Sequence, residues 1–410
     1  MSLFGFLERR SLLENPAVPL TDLSLASWLS GPPTDAGIPV NEISAMNFSA
    51  VYRCVSLISG LGGALPIKVY KEGTKEPVGH PLIKKPHPDM PALEFWRLTY
   101  AHRALWGNFY AQKLRKNGGD IKFLMPLQPR QVVPQRVAVS DANPWGKQFK
   151  VTDNDGKTST KTPEDIFHLP GLGYDGIAGV SPIRLAAQGI GLALGAEKYA
   201  AKLFGSGNLL SGLLQTDQKL NQTQAETLKQ RWFEKTSGLQ QAHQVAVMDA
   251  GAKFQSMTMP NDDAEMLASR QFQLTELGRY YGIPPFLLFD HTTSTTWGSG
   301  LEQIMLGFLN ADLHPTWLAP TEGRITSELL PDGLEAAYDM RALMRGDSVA
   351  RANYFQVMFG LGALNANEVR FTEDLPPVPG GDEYLKPTVE VEVSPTPVIG
   401  AGSLSDSGSA

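Results

Sequence analysis

The stretch NDDAEMLASRQFQLTELGRYYGIPPFLLFDHTTSTTWGSGLEQ, residues 261–303, decides how the rest of the chain is interpreted. Acidic residues open a helical pattern that ends at YGIPP, residues 281–285, because glycine and consecutive prolines do not continue a helix. A second amphipathic pattern begins near Leu301. The loop between them, residues 290–300, is polar except for Trp297. A long polar loop held between two helices is typical of a functional or a disordered segment.

The composition predicts a multidomain protein of a reducing compartment. The 410 residues, 42% of them apolar, correspond to about three domains of ordinary size. The single cysteine, Cys54, excludes a disulfide framework within the chain. The net charge of -6 argues against a protein that reads nucleic-acid sequence, since such proteins are normally basic. It is compatible with a surface that nucleic acid passes without being held.

Helical and extended patterns mix along the chain as in an α+β protein. Residues 1–45 are rich in proline, serine and glycine and are expected to form a flexible arm, and the tail after residue 382 has a similar composition. Strands are expected at 65–70, 109–114, 121–127, 131–139, 148–152, 211–215, 245–248, 253–259 and 334–338. Helices are expected from residue 47 to a stop at Gly62, at 92–105, 181–204 and 221–235, from Asp262 and Asp263 to a stop at Tyr281, and at 321–330 and 348–359. A further short helix is expected to start at 365–370. His314-Pro315 is expected to kink or end the helix that follows the polar loop.

The helical pattern at 181–204 contains many small residues. Each glycine inside a helix costs about 0.5–1 kcal/mol relative to alanine, so three glycines need a compensating gain. Close approach of a neighbouring helix is the simplest one. The candidate contact residues are Ala187, Gly191 and Gly195.

Signatures of the common enzyme classes are absent from the sequence. It contains no Walker-type phosphate loop, no G-x-S-x-G elbow and no H-E-x-x-H zinc motif. The seven histidines stand far apart, and His168 and Cys54 are both interpreted as core residues. We therefore predict no catalytic, cofactor-binding or metal-ligating residue and no enzyme activity.

Basic residues along the first third of the chain are interpreted as scattered surface charge, with a basic face as the alternative. These residues are Arg97, Arg103, Lys113, Arg115 and Lys116.

Two other function classes remain open from the residues alone. An unrecognised hydrolase would use Asp262, Asp263 and His291, although acids in a first helical turn ordinarily complement the helix dipole. A membrane-associated ring protein would use the apolar residues 180–196 or the N-terminal patch Leu3-Phe4-Phe6-Leu7.

Several short motifs occur in a fixed order. They include NFSAVYRCV at 47–55, GNFYA at 107–111, GIAGVSP at 176–182, YGIPP at 281–285 and LPPVPGGD at 375–382. Each motif is weak alone. Their collinear order, from about residue 45 to 385, resembles the portal proteins of tailed bacteriophages of the HK97 type.

The resemblance implies a multidomain α+β portal fold that assembles into a ring, usually of twelve subunits, at one capsid vertex. It implies a wing at 46–178, a first stem helix at 179–207, a clip at 208–260, a second stem helix at 261–289, a tunnel loop at 290–300, a wing helix and return at 301–345 and a helical crown at 346–382. The flexible arm (1–45) and a disordered tail (383–410) fall outside the match.

The same resemblance implies the function and the partners. The ring is the DNA channel through which the genome is packaged and later ejected. The expected partners are double-stranded DNA passing non-specifically, the large terminase subunit, the major capsid protein and the head–tail adaptor, with no cofactor and no membrane. The expected location is the virion, after assembly in the bacterial host cytoplasm. The expected channel-loop residues are His291, Thr292, Thr293, Ser294, Thr295, Thr296 and Trp297.

Overall fold

Two units make up the chain, Met1–Asp339 and Met340–Ala410, in a computed structural model. The structure describes residues 34–116, 119–141, 143–153, 155–205, 212–215, 221–236, 253–256, 263–290, 299–340, 348–373 and 375–385.

Helices form much of both units. In the first unit the α-helices are α1 Ser49–Ala64, α2 Pro81–Lys84, α3 Ala92–Trp106, α4 Pro182–Leu185, α5 Ala187–Gly205, α6 Gln222–Thr236, α7 Asp263–Tyr281, α8 Ser299–Gly307 and α9 Ala319–Leu329. A π-helix, Phe308–Leu318, joins α8 to α9. The second unit contains α10 Ser348–Gly360 and α11 Ala366–Thr372.

The strands form small antiparallel sheets. They are β1 Ile67–Lys71, β2 Pro77–Val78, β3 Asn108–Arg115, β4 Ile121–Leu127, β5 Val132–Arg136, β6 Lys147–Thr152, β7 Thr158–Lys161, β8 Ile166–Pro170, β9 Gly212–Gln215, β10 Lys253–Ser256 and β11 Leu334–Tyr338. The sheet orders are β11-β1-β2, β4-β3-β8, β5-β6-β7 and β10-β9. The predicted α+β class is confirmed. The strand expected at 245–248 lies outside the described residues.

The main core of the first unit lies where α3 and α9 pack on the strands. Phe95 and Trp96 of α3 meet edge to face with ring centroids 5.1 Å apart, and Phe95 meets Phe109 of β3 at 5.8 Å. Ile325 of α9 completes the same cluster. Burial of each large apolar side chain contributes about 1.5–3 kcal/mol, so this cluster fixes α3, which carries several residues of the site.

The first small-residue helix differs from the prediction. One helix was expected over 181–204, but the structure has α4 and α5 separated at Ala186, whose ψ of 6° leaves the helical region. Ser181 Oγ donates to the Leu105 carbonyl at 2.6 Å and accepts from the Arg184 amide at 3.3 Å. Because Ser181 ties the first turn to α3, the chain changes direction before the long helix begins.

His314-Pro315 was expected to kink or end its helix, and the helix does not end there. The chain stays helical from α8 through the π-helix into α9, with Pro315 inside the π segment. In an α-helix the proline ring would collide with the carbonyl four residues earlier. The wider π turn accommodates a residue without an amide proton.

Two basic residues expected on the surface are buried. Arg103 is 2% exposed, and Lys113 is also buried. Lys113 Nζ donates to a Glu328 carboxylate oxygen and to the Pro163 carbonyl, both at 3.1 Å. Arg103 donates to carbonyls of the π-helix. Both charges are tolerated because protein acceptors replace the water they lose.

The packed part of the chain begins before residue 46, where the flexible arm was predicted to end. Val40 and Glu42 are buried. The Glu42 carboxylate accepts from Arg130 at 3.3 Å and from Arg184 at 3.2 Å. A buried carboxylate needs such partners, so residues near Glu42 are held to the first unit.

In the second unit, helix α11 is bonded to the sequence GGD, residues 380–382, at the end of the LPPVPGGD motif. Asn365 and Glu368 form a reciprocal capping box at the start of α11. Asn367 Nδ2 donates to the Asp382 carboxylate at 2.8 Å, and the Asn367 amide donates to the Gly381 carbonyl at 3.0 Å. These bonds fasten the motif to α11.

Acidification is expected to weaken the first unit through His102 of α3. Burial lowers the pKa of His102 from 6.5 to about 4, and its Nδ1 has no hydrogen-bond partner. Between these two pH values the unfolded chain binds a proton that the folded chain does not. The free energy of unfolding should therefore fall with decreasing pH, by up to about 1.4 kcal/mol per pH unit for this residue. Urea unfolding between pH 7 and 5 measures the slope.

The matched variant for this slope is His102→Phe, which keeps an aromatic ring and cannot bind a proton. Its stability should depend less steeply on pH than that of the natural protein. Equal slopes for the two proteins would show that His102 does not contribute.

No helix in the described part of the chain has the length and hydropathy needed to cross a membrane.

Candidate functional site

The predicted channel loop itself, His291 to Trp297, lies outside the described residues. The structure describes the residues on both sides of it. These flanking residues show how the loop is attached to the first unit.

The turn that leads from α7 toward the loop is fastened to two helices. Tyr281 donates its hydroxyl to the Ala104 carbonyl of α3 at 3.0 Å, and its ring stacks on Trp317 with centroids 6.5 Å apart. Gly282 follows with a φ of +67°, and a Cβ there would lie 2.5 Å from a carboxylate oxygen of Asp312. A side chain at residue 282 would be strained and would collide, so glycine is required for this turn.

The residue immediately before the loop is anchored by a buried carboxylate. Asp290 accepts a hydrogen bond from Gln271 Nε2 of α7 at 3.1 Å, and its amide donates to the Pro285 carbonyl at 3.1 Å. The loop therefore starts from a fixed point on α7.

Arg53 of α1 supports the same turn from the other side. Its Nε donates to the Leu287 carbonyl at 3.0 Å, and its guanidinium lies 4.8 Å from the ring centroid of Phe289. Phe289 adopts a φ of +63°, which is uncommon for a residue with a side chain. The guanidinium compensates part of this cost through the carbonyl bond and the cation–π contact.

After the loop, the chain continues through α8 into the π-helix, and Arg103 of α3 forms hydrogen bonds to the end of that π-helix. Arg103 Nη1 donates to the Trp317 carbonyl at 2.7 Å and to the Thr321 hydroxyl at 2.9 Å. Its Nη2 donates to the Thr316 carbonyl at 3.3 Å. Burial lowers the pKa of this arginine. The guanidinium thus donates to two carbonyls of the π-helix and to one hydroxyl of α9.

The small residues of α5 face a segment of the same chain. A Cβ at Gly191 would lie 2.3 Å from Thr34 Oγ1, and a Cβ at Gly195 would lie 3.6 Å from Ala36 Cβ. Ala187, the first residue of α5, is half-buried. A close approach exists at Gly191, but its neighbour within the chain is Thr34 in a non-helical segment and not the helix that was predicted. A role of these residues in ring packing stays a prediction.

Three polar side chains, Asn108 of β3, Lys147 of β6 and His168 of β8, form a polar clasp that holds Gly179, just before α4, to the strands. Asn108 Oδ1 accepts from the Gly179 amide at 2.8 Å, and Asn108 Nδ2 donates to the Gly179 carbonyl at 2.7 Å. His168 Nε2 lies 3.0 Å from Asn108 Oδ1, and Lys147 Nζ lies 2.9 Å from His168 Nδ1. Since the lysine only donates, the imidazole carries its proton on Nε2.

The electrostatics of the clasp keep His168 neutral. Burial first, and then the charge of Lys147, hold the pKa of His168 well below its usual range. Burial lowers the pKa of Lys147 to about 8. The interpretation of His168 as a satisfied core histidine is confirmed.

The anchoring residues were not predicted as functional. Arg53 lies in the NFSAVYRCV motif, where a charge among apolar helix residues was the available signal. Arg103 lies three residues from both Tyr100 and Trp106 in α3, which is compatible with burial as well as exposure. Among the described residues, no group of three or more metal-ligating side chains is close enough to hold an ion.

Comparison with known proteins gives a consistent result. A family model described as phage portal protein matches residues 49–374. The portal protein of Enterobacteria phage HK97 is 32% identical over 369 residues, covering 87% of this chain and 85% of that protein.

Solved structures show the same fold at lower identity. An HK97-family phage portal protein from Corynebacterium diphtheriae matches with a TM-score of 0.58 and 14% identity, over 74% of this chain and 96% of that one. A chain from the neck of a native gene transfer agent particle, computed with C12 symmetry, matches with a TM-score of 0.51 and 19% identity, over 86% and 99% of the two chains.

Proposed function

The chain belongs to the phage portal protein family, and from this premise we propose that twelve copies form the ring-shaped DNA channel at one capsid vertex. The genome is packaged through this channel and later ejected through it. The observation that carries the proposal is the family match across residues 49–374. The C12 symmetry of the similar neck structure supports a twelvefold ring.

Within this ring, residues 290–300 form the tunnel loop that touches passing DNA. The anchoring of Asp290 and Phe289 supports this role, because a loop that meets a moving duplex needs a fixed base. The polar residues His291 to Thr296 offer few apolar contacts, and the net charge of -6 disfavours tight attachment to phosphates. The loop therefore does not bind the passing DNA tightly.

The partners follow from the same role. The clip, residues 208–260, docks the large terminase subunit during packaging and the head–tail adaptor afterwards. The wing meets the major capsid protein. The protein is a component of the virion and assembles in the host cytoplasm. It acts as a structural conduit with no catalytic role, and neither a hydrolase nor a membrane protein is supported by the family match.

Negative-stain images of the purified protein test the ring directly. We expect closed rings with an axial hole wide enough for duplex DNA. A uniform population of monomers under assembly conditions would overturn the proposal.

Shortening the loop by removing residues 292–299 is expected to leave rings intact and to reduce packaged DNA severalfold. The physical reason is that the removed residues lie between the anchor at Asp290 and helix α8, which loses only its first residue, Ser299. The measurement is the amount of nuclease-protected genome per particle. A loop of the same length and composition in scrambled order is the control and should package normally. Loss of rings would instead make the loop an assembly element.

A further inference from the structure

A groove on the first unit lies between α5 and α7. Its volume is about 90 Å³, which is room for one side chain rather than for a cofactor. Apolar residues Leu185, Leu277 and Tyr280 line it together with the polar Gln188, Gln273 and Glu276.

The polar lining of this groove is incomplete. Gln273 is 6% exposed, and its side-chain oxygen has no hydrogen-bond partner. A buried polar atom without a partner costs about 1–3 kcal/mol. Glu276 lies one turn further along α7 in the same groove, and an ionised carboxylate only accepts hydrogen bonds. The groove therefore fits a side chain that donates several hydrogen bonds and carries positive charge.

The rim of the groove suits the stem of such a side chain. Leu185 and Tyr280 are both exposed at its edge. The aliphatic part of an arginine packs on apolar surface of this kind, and a tyrosine ring attracts a guanidinium. An arginine matches the lining better than an apolar side chain, because an apolar side chain would leave Gln273 and Glu276 without partners.

The same helix α7 presents a complementary surface on another side. Phe272, 57% exposed, and Arg279, also exposed, lie seven residues apart and so share one side of α7. Gln273 and Tyr280 lie about 80–120° around the helix from Phe272 and Arg279, and Glu276 lies between the two pairs. One side of α7 thus offers an apolar residue and a cation, and the adjoining side offers an apolar groove with acceptors.

We propose that the groove between α5 and α7 receives Arg279 from a second copy of this chain. The inference rests on the proposed ring, because a ring interface joins two different surfaces of identical subunits. The opposite charges of Glu276 and Arg279 select the partner and its orientation. Phe272 is covered at the same contact, which removes an exposed aromatic ring from water.

The test uses charge reversal on each side of the contact. Glu276→Arg and Arg279→Glu, each alone, are expected to reduce the fraction of rings at least about tenfold, the change that 1.4 kcal/mol per contact produces. Native mass spectrometry measures the oligomers, and circular dichroism checks that the subunits are folded. Glu94→Arg, at an exposed position of α3, is the matched control and should form rings normally.

Mixing the two single variants separates contact between chains from contact within one chain. Glu276 and Arg279 are three residues apart on α7, so a double variant could recover through a local pair. In a mixture, the arginine introduced by Glu276→Arg meets the glutamate introduced by Arg279→Glu in the neighbouring subunit. At the next interface the natural Glu276 of one variant meets the natural Arg279 of the other. Rings with alternating variants and an even number of subunits are therefore expected only after mixing.

Three outcomes would overturn the proposal. Normal rings from Glu276→Arg alone would show that the groove is not at an interface. Failure of the mixture to form rings would show that Arg279 is not the occupant. Recovery of Glu276→Arg by Lys198→Glu on α5 would assign the groove to a different cation. If the natural protein forms no rings at all, the proposed function fails before the groove is tested.

Discussion

Replacing Arg103 with methionine is expected to lower the free energy of unfolding by about 2–4 kcal/mol. The guanidinium is buried and donates to the Trp317 and Thr316 carbonyls and to the Thr321 hydroxyl. Methionine fills a similar volume but donates nothing, so the Thr316 carbonyl and the Thr321 hydroxyl lose the guanidinium as a donor, and the Trp317 carbonyl keeps only the bond from Thr321 Oγ1 at 2.9 Å. Replacing the arginine also removes the desolvation penalty of a buried charge. The expected loss of stability is therefore smaller than the summed contributions of the hydrogen bonds.

Urea unfolding of the purified variants measures this effect. Arg97→Met, at an exposed position of the same helix, is the control and should change stability by less than about 0.5 kcal/mol. Arg103→Lys keeps the charge but lacks the planar guanidinium, so its free energy of unfolding should lie between those of Arg103→Met and Arg97→Met. If Arg103→Met is as stable as Arg97→Met, the π-helix does not depend on the guanidinium.

Alanine at Gly191 and alanine at Gly60 are expected to change stability in opposite directions. A Cβ at Gly60 of α1 meets open space, so alanine should stabilise that helix by about 0.5–1 kcal/mol. A Cβ at Gly191 would lie 2.3 Å from Thr34 Oγ1 and 2.6 Å from Thr34 Cγ2. Such overpacking should destabilise the first unit by about 1–3 kcal/mol. Thermal or urea unfolding of the two variants gives the sign directly.

The partner of Gly191 is identified by a double-mutant cycle. Thr34→Gly removes the atoms that a new Cβ would meet, so it should recover most of the stability lost in Gly191→Ala. Leucine at both Gly191 and Gly195 is expected to block ring closure when these residues also pack between subunits. Normal rings from that double-leucine variant would contradict a role of these residues between subunits. Additive effects of Thr34→Gly and Gly191→Ala would contradict the contact within the chain.

Elements whose ends are set by nearby glycine, proline or capping residues were predicted well. The end of α7 at Tyr281 follows from Gly282 and the two prolines, and the start of α11 follows from Asn365 and Glu368. Strand β11 was also found at 334–338, where a strand was predicted. In each case the residues that decide the structure lie within a few positions of it.

Features that depend on distant partners were not predicted. The burial of Arg103 requires acceptors more than two hundred residues away in the chain. The residue that meets Gly191 is Thr34, from a segment expected to be flexible. The bond from Ser181, just before α4, to Leu105 of α3 joins residues that are 76 positions apart in the chain. Local patterns therefore predicted the ends of the helices that flank the loop, but not the side chains that anchor it.

The π-helix between α8 and α9 also defines a unit of movement. A π turn holds one residue more than an α turn. Converting one π turn into an α turn would pass one residue along the helix, which rotates the preceding part by about 100° and shifts it by about 1.5 Å. Arg103 donates hydrogen bonds to the carbonyls of Thr316 and Trp317 and so holds the C-terminal end of the π-helix. Such a shift would therefore move α8, the helix that follows the loop. The π-helix therefore fixes the size of any register shift of α8 at one residue.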